Sequence, residues 1–336
     1  MKQRRLVGKL VVLALLCAAP VLAQAAGEYN ATARPDPTSV PTVVSIGVFV
    51  LDLVTIDDLE QQFTADLIAN VQWNDPRLAT SDGGVGERIL PLAQVWNPGV
   101  GILNRRSIDA LLPETVRVDA AGNVAYTQRL LGRFASPLDL RRFPADEQRL
   151  PVRVASYRYG TEEVEFVVDL PRTGRLEEMS VAGWKVGQPE LEVLALEVPG
   201  NVRAGAVLNL SVTRETSYYM LTMVVPLVLI ALMAWMVFWI DPTLLPPQIA
   251  VATASVFSLI AFRLSLSLQL PKVSYLTTAD WFILSTTLLV FGALGETVVA
   301  GRLAKMDRVE LARRIDAVGR WVYLAALILV CALTLR

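Results

Sequence analysis

From Tyr218 to Ile240 the chain runs for about 23 residues without a charged side chain. At ~1.5 Å per helical residue, such a run crosses the ~30 Å hydrocarbon core of a bilayer. Tyr218 and Tyr219 at one end, and Trp235 and Trp239 at the other, are the aromatic residues that settle at membrane interfaces. Pro226 interrupts the run, which membrane helices tolerate when neighbours satisfy the freed carbonyl. Further apolar runs follow, so the expected helices are 218–240, 247–270, 276–299 and 318–335.

The second run, Pro246 to Pro271, is neither uniformly apolar nor strongly amphipathic. At about 100° per residue, Ala250, Ala254, Phe257, Ala261, Leu264 and Leu268 share one narrow face, with Pro246 at its head and Thr253 and Ser265 at its edges. Two readings are open. It is a packing helix whose small residues admit close neighbours and whose hydroxyls bond back to carbonyls, or it lines a pore with Phe257 as the narrow point.

Upstream the pattern changes. Between Pro41 and about Arg214, short runs rich in Val, Leu, Ile, Tyr and Phe alternate with Gly, Pro, Asn and Asp, the signal of an all-β sandwich. Thr42–Val50 and Phe63–Trp73 read as strands joined by an acidic turn, Thr55 to Glu60. Ala121-Gly122-Asn123 marks a hairpin before Val124–Leu131, and more strands are expected near 152–156, 164–168, 184–198 and 207–214.

Lys2, Arg4, Arg5 and Lys9, then Leu10 to Leu22 and Ala23-Gln24-Ala25, read as a bacterial secretory signal over residues 1–25. That leaves 26–216 as the exported sandwich and 217–336 as the membrane domain. Arg302, Lys305, Arg308, Arg313, Arg314 and Arg320 fall in an expected loop, Gly301 to Arg320, between the third and fourth spans, against Lys272 alone between the second and third. The former loop is therefore cytoplasmic, and the sandwich lies outside the bacterial inner membrane.

The chain has no histidine and only two cysteines, Cys17 and Cys331. This removes Ser-His-Asp and Cys-His nucleophiles, leaves no Cys/His set for structural zinc, and allows no disulfide once the leader is cleaved. Neither an enzyme nor a cofactor is expected. Between residues 26 and 217 there are 26 acidic and 18 basic side chains; after them, 6 acidic and 9 basic.

A sandwich followed at once by four apolar helices is an uncommon order, and particular residues make it recognisable. Ser136 to Leu150, with Phe143-Pro144-Ala145-Asp146 at its centre, resembles the signature loop of the pentameric ligand-gated ion channels in their prokaryotic form. Ser136 and Leu150 stand where animal members carry the two cysteines of that loop. Trp73-Asn74-Asp75-Pro76-Arg77-Leu78, Val95-Trp96-Asn97-Pro98, Arg214, Pro226 and Leu270-Pro271-Lys272 also resemble family motifs, in family order.

The resemblance implies an immunoglobulin-like sandwich on a four-helix membrane domain, assembled as a homopentamer around a central pore. It implies that Pro246, Ala250, Thr253, Ala254, Phe257, Ala261, Leu264 and Leu268 line that pore, with Phe257 and Leu264 as a gate that closes by dewetting. Coupling to the sandwich falls to Asp57, Asp58, Asp139, Phe143, Pro144, Asp146, Arg214, Pro271 and Lys272. Arg263 and Asp280 are a candidate pair at the outer ends of the second and third spans, and Glu296, nearer the inner end, is expected to be structurally paired.

The family's ligand pocket lies between subunits and often cages an amine with aromatic faces. Here the matching places hold Leu103, Tyr157 and, on the complementary side, Ile68, with one aromatic among them. Tyr157, Arg133 and Arg158 suit an anionic or polar ligand equally, and a proton or divalent cation is a further agonist class. Any pH sensing falls to carboxylates, since histidine is absent. The acidic outer half favours cations. Expected partners are further copies of the chain, membrane lipid, permeating ions and a small ligand, and not nucleic acid. A non-conducting receptor is the competing reading, and a current measurement separates the two.

Overall fold

The computed structural model describes residues 29–36, 39–80, 86–266 and 273–334. Strands occupy most of its first two thirds: β1 (Thr42–Asp57), β2 (Gln62–Asn74), β3 (Arg88–Pro91), β4 (Val100–Ile102), β5 (Arg105–Ala110), β6 (Thr115–Val118), β7 (Asn123–Ala135), β8 (Glu147–Ser156), β9 (Val164–Val168), β10 (Gly174–Arg175), β11 (Trp184–Val198) and β12 (Asn201–Arg214). One sheet runs β10-β1-β2-β7-β6-β3, with β5 also on β7 and β9 also on β1; the other runs β11-β12-β8-β4. β9 and β10 lie parallel to β1, so the larger sheet is mixed.

Two-residue alternation fills the space between the sheets. On β2 the side chains of Phe63, Ala65, Leu67, Val71 and Trp73 turn inward, and on β8 Leu150, Val152 and Val154 meet them from the other sheet with Leu208 and Leu210 of β12. Trp96 is fully buried edge-on to Trp73, and its indole N–H donates to the Tyr159 hydroxyl at 2.9 Å. That contact ties the Val95–Pro98 loop to the turn after β8.

The turn before β7 requires its glycine. Gly122 has φ +84°, and a Cβ there would collide with the Asp75 carbonyl. Asp119 closes the turn by accepting the N–H groups of Ala121 and Asn123. By contrast, the expected Thr55–Glu60 turn is shorter than the sequence suggests, because β1 stays paired with β2 as far as Asp57↔Gln62. The chain reverses over Asp58–Gln61, with Gln61 at φ 51°.

Among the described residues, four helices are long and apolar enough to cross a membrane: α1 (Ser217–Trp239), α2 (Leu245–Leu266), α3 (Thr278–Lys305) and α4 (Val309–Thr334). Only Glu215 and Thr216 separate β12 from α1. α1 absorbs Pro226 through a π turn over Met220–Val224, which widens the ladder just where the proline lacks an N–H. Buried hydroxyls bond back along their own helices, as Ser255 does to Val251 and Thr286 to Phe282.

The basic segment expected as a loop is mostly helix. α3 continues to Lys305 and α4 begins at Val309, nine residues earlier than the apolar run, leaving Met306–Arg308 as the turn. Arg302 and Lys305 in the last turn of α3 complement its dipole, so charge does not end the helix there.

Candidate gate and junction sites

At the foot of the sandwich Arg214 ends β12 with its side chain almost wholly buried. Its Nε donates to Asp146 at 2.7 Å, and its two terminal nitrogens donate to Asp58, each at 2.9 Å. The guanidinium lies 4.1 Å from the Trp184 ring centroid and 4.9 Å from that of Phe143. Burial works against the charge, but Asp58 and Asp146 outweigh it and hold Arg214 protonated beyond its ordinary range. Gln148 donates in turn to Asp146 at 2.6 Å and to the Asp139 carbonyl at 2.7 Å.

Two acids expected in this cluster stand outside it. Asp57 instead accepts the N–H groups of Leu59 and Glu60, an Asx turn that holds the β1–β2 reversal. Asp139 pairs with Arg141 in the open, and the Arg141 N–H chiefly holds its carboxyl below the usual range. Local turns explain the split: the carboxylates of Asp57 and Asp139 are taken by the N–H groups just after them, which leaves Asp58 and Asp146 to face Arg214.

The loop around Phe143 bonds directly to the start of α3. Arg141 and Phe143 carbonyls accept the N–H groups of Thr278 and Ala279 at 2.9 and 3.1 Å, and the Leu140 N–H donates to the Tyr275 hydroxyl at 2.9 Å. Pro144 follows through a cis peptide. Tyr275 was not marked by the sequence, although an aromatic two residues before the Thr277 cap is a signal that could have found it. Pro271 and Lys272 lie outside the described residues. Asp280 does not pair with Arg263: its carboxylate accepts the N–H and hydroxyl of Thr277 and completes a capping box.

On α2 the neighbouring helices α1 and α3 take one face, burying Gln248, Ala252, Ser255, Val256, Leu259 and Leu266. The opposite face holds the sequence-derived stripe. Pro246, Ala250, Ala254, Phe257, Ala261 and Leu264 are exposed in the single chain and Thr253 is half-buried; Phe257 and Leu264 reach 67% and 70%. Leu268 lies outside the described residues. A stripe of small residues punctuated by two large apolar ones is therefore turned away from its own bundle.

The ligand candidates divide into two groups. Tyr157 is 48% exposed, stacks over Gly101 and donates to the Ile102 carbonyl at 3.1 Å; Arg158 lies against Gly99, and the Leu103 N–H donates to the Arg153 carbonyl. Ile68 and Arg133 are on β2 and β7 of the other sheet, where Ile68 pairs with Arg129 and Arg133 bonds Ser107. One chain does not bring the groups together. Arg129, bidentate to Asp66, is the charge beside Ile68 and was missed in the sequence, whose spacing alone does not reveal cross-strand register.

Glu296 is paired, but with another acid. It faces Asp316 of α4, and Gln248 of α2 reaches the same place.

A β-sandwich whose Phe143 loop bonds onto a bundle of four apolar helices defines a multi-pass membrane protein with a β domain ahead of its helices. The chain belongs to the neurotransmitter-gated ion-channel family. The family's ligand-binding domain ("Neurotransmitter-gated ion-channel ligand binding domain") matches residues 19–189, and its transmembrane region matches residues 223–315. The chain is similar to a glutamate-gated chloride channel of Drosophila melanogaster, 26% identical over 298 residues, covering 81% of this chain and 62% of the relative. It is also similar to the glycine receptor subunit beta of Rattus norvegicus, 25% identical over 297 residues, 84% of this chain and 60% of that one. A proton-gated ion channel of Gloeobacter violaceus is 25% identical over 280 residues, covering 81% of this chain and 77% of the relative. The chain thus spans about 60% of the length of these animal relatives.

Proposed function

We propose that five copies of this chain form a gated ion channel, with α2 lining the pore and Phe257 and Leu264 closing it. The carrying observation is the α2 stripe, which the chain's own helices leave uncovered while burying the polar Gln248 and Ser255 on the reverse face. Five-fold repetition would turn five such stripes toward one axis, where rings of Phe257 exclude water from a narrow passage. Domain boundaries near 25 and 216, a cleaved leader, and a bacterial inner membrane with the sandwich outside belong to the same reading.

Gating would pass through Arg214, Asp58 and Asp146, with the Arg141–Phe143 carbonyls carrying the movement to α3. A ligand would bind between copies, with Leu103, Tyr157 and Arg158 on one side and Ile68 and Arg133 on the other. Few aromatic faces and several guanidiniums at these places favour a polar or anionic ligand over an amine. For the permeant ion, the acidic outer half favours cations, whereas the Drosophila relative is by name a chloride channel. The deciding experiment is the reversal potential of purified protein in a planar bilayer under a salt gradient, with outer pH and calcium varied. A reversal toward the cation equilibrium potential is expected. Reversal toward the anion's overturns the selectivity, and silence of a verified pentamer under every condition overturns conduction.

A further inference from the structure

The membrane half holds a second polar cluster that the gating reading does not use. Glu296 of α3 and Asp316 of α4 face each other, and all four carboxyl oxygens are buried without a hydrogen-bond partner. Asp316 is 4% exposed. Gln248 of α2, at 0%, reaches them; its amide N–H donates to the Ile240 carbonyl at 2.9 Å, and its Oε1 is buried and unpartnered.

Neighbouring charges make their direct bonds elsewhere, although Arg320, whose buried Nε has no hydrogen-bond partner, still acts on Asp316 through its charge. Asp241 of the α1–α2 connection pairs with Arg313 at 3.0 Å. Arg320, one turn beyond Asp316, donates to the Phe238 carbonyl at 3.0 Å and lies 3.8 Å over the Trp239 ring. Among the described residues, no salt bridge reaches Glu296 or Asp316.

Two facing carboxylates in such a place repel each other and have both lost water, a cost of several kcal/mol per ion that Arg320, bonded to no carboxylate, offsets only in part at Asp316. A single proton changes this. One carboxyl becomes a donor to the other, forming a short charge-assisted bond. A metal ion fits less well, because two carboxyls and one amide oxygen fall short of the six to eight oxygens that calcium takes. Counting back from the Met306–Arg308 turn, Glu296 is about 14 Å from the end of α3 and Asp316 about 10 Å from the start of α4. Both lie in the half of the bilayer nearest the basic turn.

We propose that Glu296 and Asp316 form a proton-binding site at inner-leaflet depth, and that the bound proton seats α4 against α3 and the reverse face of α2. Losing the proton leaves two charges on facing helices and drives α4 outward from Gln248. The site rests on the membrane reading of the helices and not on conduction.

The test uses the full chain in phosphatidylcholine vesicles. Infrared spectra at neutral pH should show a protonated-carboxyl stretch, lost in both Glu296→Gln and Asp316→Asn and kept in Glu310→Gln, an exposed acid on α4. Absence of the band in the unaltered protein, or its survival in both variants, overturns the proposal. A second measurement needs no variant. Backbone hydrogen exchange around Asp316, corrected for the intrinsic effect of pH, should quicken at least tenfold as the band titrates away. A rate constant across that titration overturns the seating of α4. Neither readout requires current, so failure of the channel reading leaves both interpretable.

Discussion

Two of the places where the protein buries carboxylates treat them in opposite ways. At the foot of the sandwich, Asp58 and Asp146 share one guanidinium held among aromatic rings, so each buried charge has an opposite partner. About 27 Å of helix away, counting 18 residues of α3 from Thr278, Glu296 and Asp316 face each other beside Gln248 with no salt bridge to either among the described residues. A balanced cluster fixes one geometry, since any displacement strands a charge in a poor solvent. An unbalanced one depends on what it can take up from outside. In the proposed reading the first serves a joint and the second a sensor.

The largest effect is expected from breaking the balanced cluster. Arg214→Met leaves two buried carboxylates facing each other and should cost ~3–5 kcal/mol, read as a large fall in thermal unfolding temperature and loss of assembled protein. Arg214→Lys keeps the charge but loses the fork and should fall between. Should Arg214→Met melt like the parent, the contrast between the clusters disappears. Next comes the stripe. Phe257→Ala should raise basal bilayer current about tenfold, the equivalent of ~1.4 kcal/mol on a closed-to-open equilibrium, and unchanged gating would remove Phe257 from its assigned place.

A smaller effect tests the link between the halves. Tyr275→Phe strips the Leu140 N–H of its acceptor and should cost ~1 kcal/mol, seen as a shift of a few degrees in unfolding. Asp139→Asn should leave the unfolding temperature where it was, because its ion pair with Arg141 is open to water. A large change there would mean that exposed acids of this loop count as much as buried ones.

Long elements were legible in the sequence and short ones were not. β2 and β7 alternate over thirteen residues, enough for a period of two to stand out, whereas β12 alternates only in the 207–214 end that was read, Ala204–Leu208 being buried in succession. β4 and β10 have three and two residues and owe their pairing to neighbours already in place. The α2 stripe was readable because one helical face is a matter of arithmetic, and Arg214 because its position beside the first span is distinctive. Its partners were half readable: Asp58 and Asp146 were named, but so were Asp57 and Asp139, which local turns divert. Asp316 was missed because Gly301–Arg320 reads as a charged loop. Once that segment is helix folded at Met306–Arg308, residues at similar distances from the turn come to the same depth.

β11 and β12 form one long hairpin, and its two ends lie in different parts of the molecule. Near its turn, at Pro199 and Gly200, the Val202 carbonyl lies over Gly160, in the same loop as Tyr157 and Arg158. At its root are Trp184 and Arg214, paired in register. The 13 steps of β12 between Asn201 and Arg214 span ~43 Å of hydrogen-bonded ribbon, stiffened by β8 along its lower part from Gly205 to Thr213. Such a ribbon is a beam clamped at its base and resting at its tip on the loop that carries Tyr157 and Arg158. In the proposed gating, a tilt at the turn would reach the guanidinium as torque through this ribbon.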